Sequence, residues 1–173
     1  MSIYRRAYLP GGIYFFTVVT LNRAPIFTNE ERVEVLRQVF RKVMVTRPFE
    51  IDAMVILPDH LHCIWRMPEG DADYSSSRWR EIKKAASRQI STASNARNER
   101  MVWQRRFWDH AIRDEEDWRR HVDYIHYNPV KHGLASRTSE WAWSSFGNAV
   151  KKGGYEESWG ASEPTTIAGM DCE

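Results

Sequence analysis

The sequence predicts an α+β domain: one antiparallel sheet in the order strand–helix–strand–strand–helix–strand, with one further helix added after it. Three observations predict this. Four short stretches are rich in β-branched and aromatic residues and are bounded by Gly, Pro or Asn, as strands are. Three other segments carry apolar residues at helical spacing behind capping residues. The second and third strands are separated only by Pro58-Asp59, so they must pair as a hairpin.

Ile13 to Thr20 reads IYFFTVVT; it is apolar without strict alternation and reads as a strand buried on both faces. Thr28, with Glu31 three residues on, forms a capping box that opens a helix. Val33, Leu36, Phe40 and Val43 make its apolar stripe, and Pro48 sets its far limit. Glu50 to Leu57 and His60 to Met67 are the hairpin strands. Ser75 to Ser77 cap a second helix that turns Trp79, Ile82, Ala86 and Ile90 inward. Ser91 to Arg100 is polar and aperiodic and reads as a mobile loop. The fourth strand lies within Phe107 to Ile112. Asp114 caps the third helix, and Glu115, Glu116 and Asp117 sit in its first turn, where acids favour the positive end of the helix dipole. Trp118, Val122 and Ile125 are its buried stripe, and Asn128-Pro129 is its expected end.

This order is the split βαβ, ferredoxin-like βαββαβ pattern with an added C-terminal helix, in which the first and third strands are central. Glu140 to Phe146 reads as a packed return segment. Residues 1–150 are assigned to one domain, and the polar residues 151–173 to a loosely held tail.

With 173 residues, 42% of them hydrophobic, the chain is long enough to bury a core as one domain. No window approaches the ~18 uninterrupted apolar residues of a membrane span, and Pro10, Gly11 and Gly12 interrupt any signal core after the basic start. Two cysteines, Cys63 and Cys172, argue against a disulfide framework and for a reducing cytoplasm. The net charge of +2 excludes nothing, but its distribution is uneven. Between residues 78 and 106 the bases include Arg78, Arg80, Lys83, Lys84, Arg105 and Arg106, against only Glu81 and Glu99. Such a stretch is either a footprint for a phosphate backbone or a solvated helix face.

The chemistry centres on Pro58-Asp59-His60-Leu61-His62-Cys63. In a strand, residues i and i+2 share a face, so His60 and His62 look out together and can share a metal ion. Two imidazoles are too few to hold one alone. On the third helix, Tyr124 and Asn128 are four apart and share a face offset from the apolar stripe. A helix laid across the open face of the sheet brings both to the histidines. His60, His62 and the Asn128 amide oxygen then hold a divalent cation with open positions. Nitrogen-rich ligation suits Mn²⁺, with Mg²⁺ able to serve. Tyr124 is the candidate nucleophile: its oxygen would attack a phosphodiester and keep the 5′ phosphate, leaving a free 3′ hydroxyl.

His60-Leu61-His62 is similar to the His-hydrophobic-His signature of the HUH single-strand endonucleases. Phe107-Trp108-Asp109-His110-Ala111-Ile112-Arg113 and Asp123-Tyr124-Ile125-His126-Tyr127-Asn128-Pro129-Val130-Lys131-His132-Gly133, with the segments around His60 and Trp79, closely resemble the REP-associated tyrosine transposases, relatives of the insertion-sequence transposases that act on single strands. The resemblance covers about residues 4–146. It implies an enzyme that nicks and joins single-stranded DNA beside hairpins of repetitive extragenic palindromes. It implies His60, His62 and Asn128 as ligands of Mg or Mn, and Tyr124 as the residue that forms a 5′-phosphotyrosine. It also implies a chain able to act as a monomer, with a dimer as the alternative, and a cytoplasmic, nucleoid-associated setting without membrane contact.

Other readings stand beside this one. A hairpin-binding protein that no longer cuts would keep the same motifs, and a phosphodiesterase using water would keep the metal site. Tyr127 is the rival nucleophile, but its i+4 partner is Lys131 and its helical face differs. His126 and His132 read as phosphate contacts or, more simply, as helix-end or surface residues, and His121, three residues before Tyr124, reads as a group that tunes its proton or, more simply, as a surface residue. Arg5, Arg6, Arg78, Arg80, Lys83, Lys84, Arg105 and Arg106 are the candidate DNA contacts. Trp65 and Trp108 are either base-stacking residues or core.

Overall fold

The computed structural model describes residues 11–71, 76–90 and 102–173. Arg5, Arg6, the Ser75 cap and the expected loop from Ser91 to Arg100 lie outside these residues. Four strands, β1 (Ile13–Val19), β2 (Glu50–Ile56), β3 (His60–Arg66) and β4 (Trp108–Ala111), form one antiparallel sheet in the order β2-β3-β1-β4. The helices are α1 (Glu30–Thr46), α2 (Ser76–Gln89), α3 (Glu115–Lys131) and the short α4 (Phe146–Lys151). The predicted α+β order is the observed one, with β1 and β3 central.

The two-residue period of β3 splits it between two apolar layers. Leu61, Cys63 and Trp65 pack with Tyr14, Phe16 and the inner faces of α1 and α2, including Leu36, Phe40, Trp79 and Ile82. Ile64 packs with Phe15, Ala53, Val55 and the α3 residues Val122, Tyr124 and Ile125. His60 and His62 are on the second face, the one α3 crosses. The return segment seals the outer edge of β2: Ile56 donates to the Trp143 carbonyl at 2.8 Å and Ser145 to the Met54 carbonyl at 2.8 Å.

Three local expectations are corrected. The α1 cap is Asn29 rather than Thr28; its side chain accepts from the Arg32 N–H. Helix α3 does not stop at Asn128-Pro129 but continues to Lys131 with Pro129 inside. In a last turn proline forfeits only one hydrogen bond, and the backbone closes normally beyond it, with His132 donating to the Asn128 carbonyl at 3.0 Å and Leu134 to that of Pro129 at 2.9 Å. The polar tail is not loose. Ile167 and Cys172 are buried in the α3 layer, Arg120 donates to the Thr166 carbonyl at 2.9 Å, and Thr166 donates to Asp123 at 2.7 Å.

Candidate active site

The site forms where the start of β3 meets the face of α3. The turn before β3 is pinned by Thr20, whose backbone N–H donates to the Asp59 carbonyl at 2.8 Å and whose hydroxyl lies between the Ala24 and Asp59 carbonyls at 2.8 and 2.9 Å. That fixes Asp59, whose carboxylate accepts from His60 Nδ1 at 2.6 Å. The second histidine is fixed from β1. Thr17 is paired across the sheet with His62, and its hydroxyl lies 2.8 Å from His62 Nδ1. That hydroxyl donates its one proton to the Cys172 carbonyl at 2.6 Å, so it accepts from Nδ1–H. Both rings are thereby held as Nδ1–H tautomers with the Nε2 lone pair unprotonated.

Those two Nε2 atoms are buried and have no hydrogen-bond partner among the described residues, and neither have the two amide atoms of Asn128. Buried polar atoms are normally paired. Here the unpaired ones include a potential donor atom from each of the three predicted ligands. Burial lowers the pKa of His60 despite the Asp59 contact, and that of His62 well below the ordinary value, so both rings stay neutral, as metal ligands must. The rings are 4.9 Å apart. The donor set fits a divalent cation with nitrogen and amide-oxygen ligands.

Tyr124 packs edge-on against His62 with centroids 5.4 Å apart, one helical turn before Asn128. Its phenol oxygen accepts from Lys131 Nζ at 3.1 Å and from the Cys172 N–H at 3.3 Å, and donates to the Glu173 carboxylate at 3.3 Å. Burial raises its pKa, against the pull of Lys131. Glu173 also accepts from His132 Nε2 at 2.6 Å and Lys131 Nζ at 3.4 Å. Burial would raise its pKa, but His132 and Lys131 outweigh that and lower it. Tyr124 is 1% exposed, so the tail from Cys172 to Glu173 lies over the nucleophile candidate. His60, His132 and Glu173 also bring potential ligand atoms within 4.8 Å of one another. Tyr127 is not a ring neighbour of either histidine; among the described residues those neighbours, besides each other, are Phe15, Tyr124 and His132.

Several residues depart from the sequence reading. His126 is buried, 3.0 Å from the Ser145 hydroxyl, and His121 is buried with Nδ1 2.7 Å from the Asp117 carbonyl. Asp117 accepts from His110 at 2.8 Å and from the Arg113 backbone at 3.0 Å, which staples β4 to the start of α3. Burial would raise its pKa, but these donors hold it at about 2. Arg78 is 3% exposed, bonded to the Arg47 and Pro48 carbonyls and to Asp71; it ties α2 to the α1–β2 connection and is not a surface contact. Lys83 is half-buried against the Gln104 carbonyl at 2.9 Å, while Arg80, Lys84, Arg105 and Arg106 are exposed. Sequence reasoning missed Lys131, Asp59 and Thr17 as parts of the site, and offered His132 as a phosphate contact or a helix-end residue. Lys131, two helical turns beyond Tyr124, carried a readable signal; Thr17 carried none.

Residues 11–128 match the family model described as transposase IS200 like, which places the chain in a class of DNA-processing enzymes. The chain is 50% identical to the REP-associated tyrosine transposase of Escherichia coli K12, over 92% of this chain and 91% of that protein. A Haemophilus influenzae Rd protein given the same family description is 38% identical over 98% of this chain and 99% of its own length. A solved structure of a REP-associated tyrosine transposase bound to a REP hairpin superposes with a TM-score of 0.81 at 46% identity, covering 96% of both chains. The chain belongs to the REP-associated tyrosine transposases.

Proposed function

We propose that the chain is a metal-dependent nuclease and strand-transferase for single-stranded DNA, acting beside hairpins of repetitive extragenic palindromes, with Tyr124 as nucleophile. The observation that carries this reading is the set of unpaired buried atoms on His60, His62 and Asn128, set beside the phenol of Tyr124. The hairpin comes from the similar structure, whose protein holds one.

Tyr124 Oη attacks the scissile phosphorus. The bond from phosphorus to the 3′ oxygen breaks, the 3′ oxygen takes up a proton, and the 5′ phosphate remains as an ester of Tyr124. Attack by an incoming 3′ hydroxyl on that ester rejoins a strand and frees the phenol. Lys131 donates to Oη and stabilises it as it loses its proton. A divalent cation, Mg or Mn, held by His60, His62 and Asn128 would polarise the phosphoryl oxygen and offset its developing charge. Lys131 and His132, which both donate to the Glu173 carboxylate, have the donors and spacing to hold a phosphate once that carboxylate moves away.

Incubation with Mn²⁺ and labelled single-stranded DNA bearing a hairpin tests this. A covalent protein–DNA adduct lost in Tyr124→Phe and kept in Tyr127→Phe is the expected result; the reverse pattern overturns the assignment. Cleavage that survives Tyr124→Phe would point to water as the nucleophile. The second reading, a hairpin-binding protein that does not cut, draws on the cover that Cys172 and Glu173 place over Tyr124. It predicts tight hairpin binding with no adduct under any divalent metal.

A further inference from the structure

Of the eight tryptophans, Trp108 alone is exposed. Trp65 and Trp79 are 0% and 1% exposed and pack in the α1–α2 layer, whereas Trp108 is 42% exposed. It stands on β4, an edge strand, paired across β1 with Thr17. That register puts its side chain on the α3 face, the face of His60 and His62. The ring is held rather than loose. It lies nearly parallel to His110, at 8° with centroids 6.1 Å apart, and His110 stacks on the buried His121 at 16° and 4.7 Å. The Asp117 contact to His110 anchors that series. Three near-parallel rings thus run outward from the protein and end in an exposed indole.

Two further observations say what the indole receives. The Phe15 ring touches Trp108 edge-on at 5.7 Å and also neighbours His62 at 5.4 Å and Tyr124 at 6.2 Å, so Trp108 adjoins the proposed cleavage site through one shared ring. Arg105 and Arg106, just before it in the chain, are exposed and pair with no carboxylate among the described residues. A rigid exposed aromatic beside free cations is the combination that binds single-stranded nucleic acid, with bases on the ring and phosphates on the arginines.

We propose that Trp108 is a stacking platform for an unpaired DNA base close to the scissile phosphate, with Arg105 and Arg106 contacting the adjoining backbone. The inference rests on the reading of the site as one that acts on single-stranded DNA. The platform positions the strand for Tyr124 and does not itself touch the reacting atoms. Duplex bases are stacked on one another and have no free face to offer, so the platform selects the unpaired segment over the hairpin stem.

The test uses the full chain without metal and a hairpin whose single-stranded flank carries 2-aminopurine at successive positions. In the wild type, fluorescence is quenched at one flank position. Trp108→Leu abolishes that quench and weakens binding of the flanked hairpin about 5- to 150-fold; Trp108→Tyr keeps both largely intact. The blunt hairpin binds wild type and Trp108→Leu equally. Equal binding of the flanked probe by wild type and Trp108→Leu overturns the platform, as does an equal loss on the blunt hairpin. Adduct formation with Mn²⁺, measured separately on the wild type, tests the parent reading: an adduct without any Trp108 dependence sinks the platform alone. A Trp108-dependent quench without an adduct keeps the platform and sinks the nuclease.

Discussion

The Asp59 carboxylate accepts a hydrogen bond from His60 Nδ1 at 2.6 Å, and this contact settles which imidazole nitrogen faces the interior. Neighbouring carboxylates of this kind fix ligand tautomers, and their loss typically costs ~10–100-fold in metal affinity. Asp59→Ala should therefore weaken Mn²⁺ binding by about that factor, read by calorimetry, while His60→Ala should remove most of it. Unchanged affinity in Asp59→Ala would show that the carboxylate does not orient the ligand.

Glu173 holds Lys131 and His132 and accepts from the Tyr124 phenol. Glu173→Ala should free those groups and speed adduct formation several-fold. Its ion pairs are partly solvated, so the stability loss should stay within ~1 kcal/mol. Asp171→Ala, an exposed acid beside it, is the control and should leave the rate alone. Slower adduct formation in Glu173→Ala would mean that the carboxylate assists the reaction.

Arg78 and Arg80 are two residues apart on α2, yet one is buried and bonded and the other exposed. Arg78→Ala should cost about 3–5 kcal/mol of stability, the usual result of removing one partner from a buried ion pair, measured by denaturant unfolding. Arg80→Ala should leave stability within ~0.5 kcal/mol. If it meets a phosphate, it should also flatten the log–log salt slope of DNA binding by about 0.7–0.9. An unaltered slope removes Arg80 from the interface.

Burial lowers the His126 pKa to about 4 from its ordinary value of 6.5. The unfolded chain therefore takes up a proton below about pH 6.5 that the folded chain refuses until about pH 4. Stability from this group is complete above pH 6.5 and is lost as pH falls to about 4, up to ~3 kcal/mol. His126→Phe, which cannot titrate, should show a flatter fall in unfolding midpoint over that window. Parallel curves for the two proteins would overturn the attribution.

The sequence by itself determined the element order, the hairpin at Pro58-Asp59, the common face of His60 and His62, and the common face of Tyr124 and Asn128. Each depends on a local period or a local cap: two residues in a strand, 3.6 in a helix, a carboxylate before a helix. The tertiary structure decided what local rules do not encode. Thr17 and Cys172 meet across 155 positions, and through that contact the tail both orients His62 and closes over Tyr124. Nothing periodic in residues 151–173 announces this, because a polar segment docks through single hydrogen bonds and two buried apolar anchors, Ile167 and Cys172. Arg78 looked like a surface charge until the Arg47 and Pro48 carbonyls supplied acceptors from another element. The helix ran past Pro129 because the lost bond fell in its final turn. The identities of the candidate ligands were legible from spacing; the protonation, orientation and cover of those groups depend on contacts between distant parts of the chain, which exist only once it has folded.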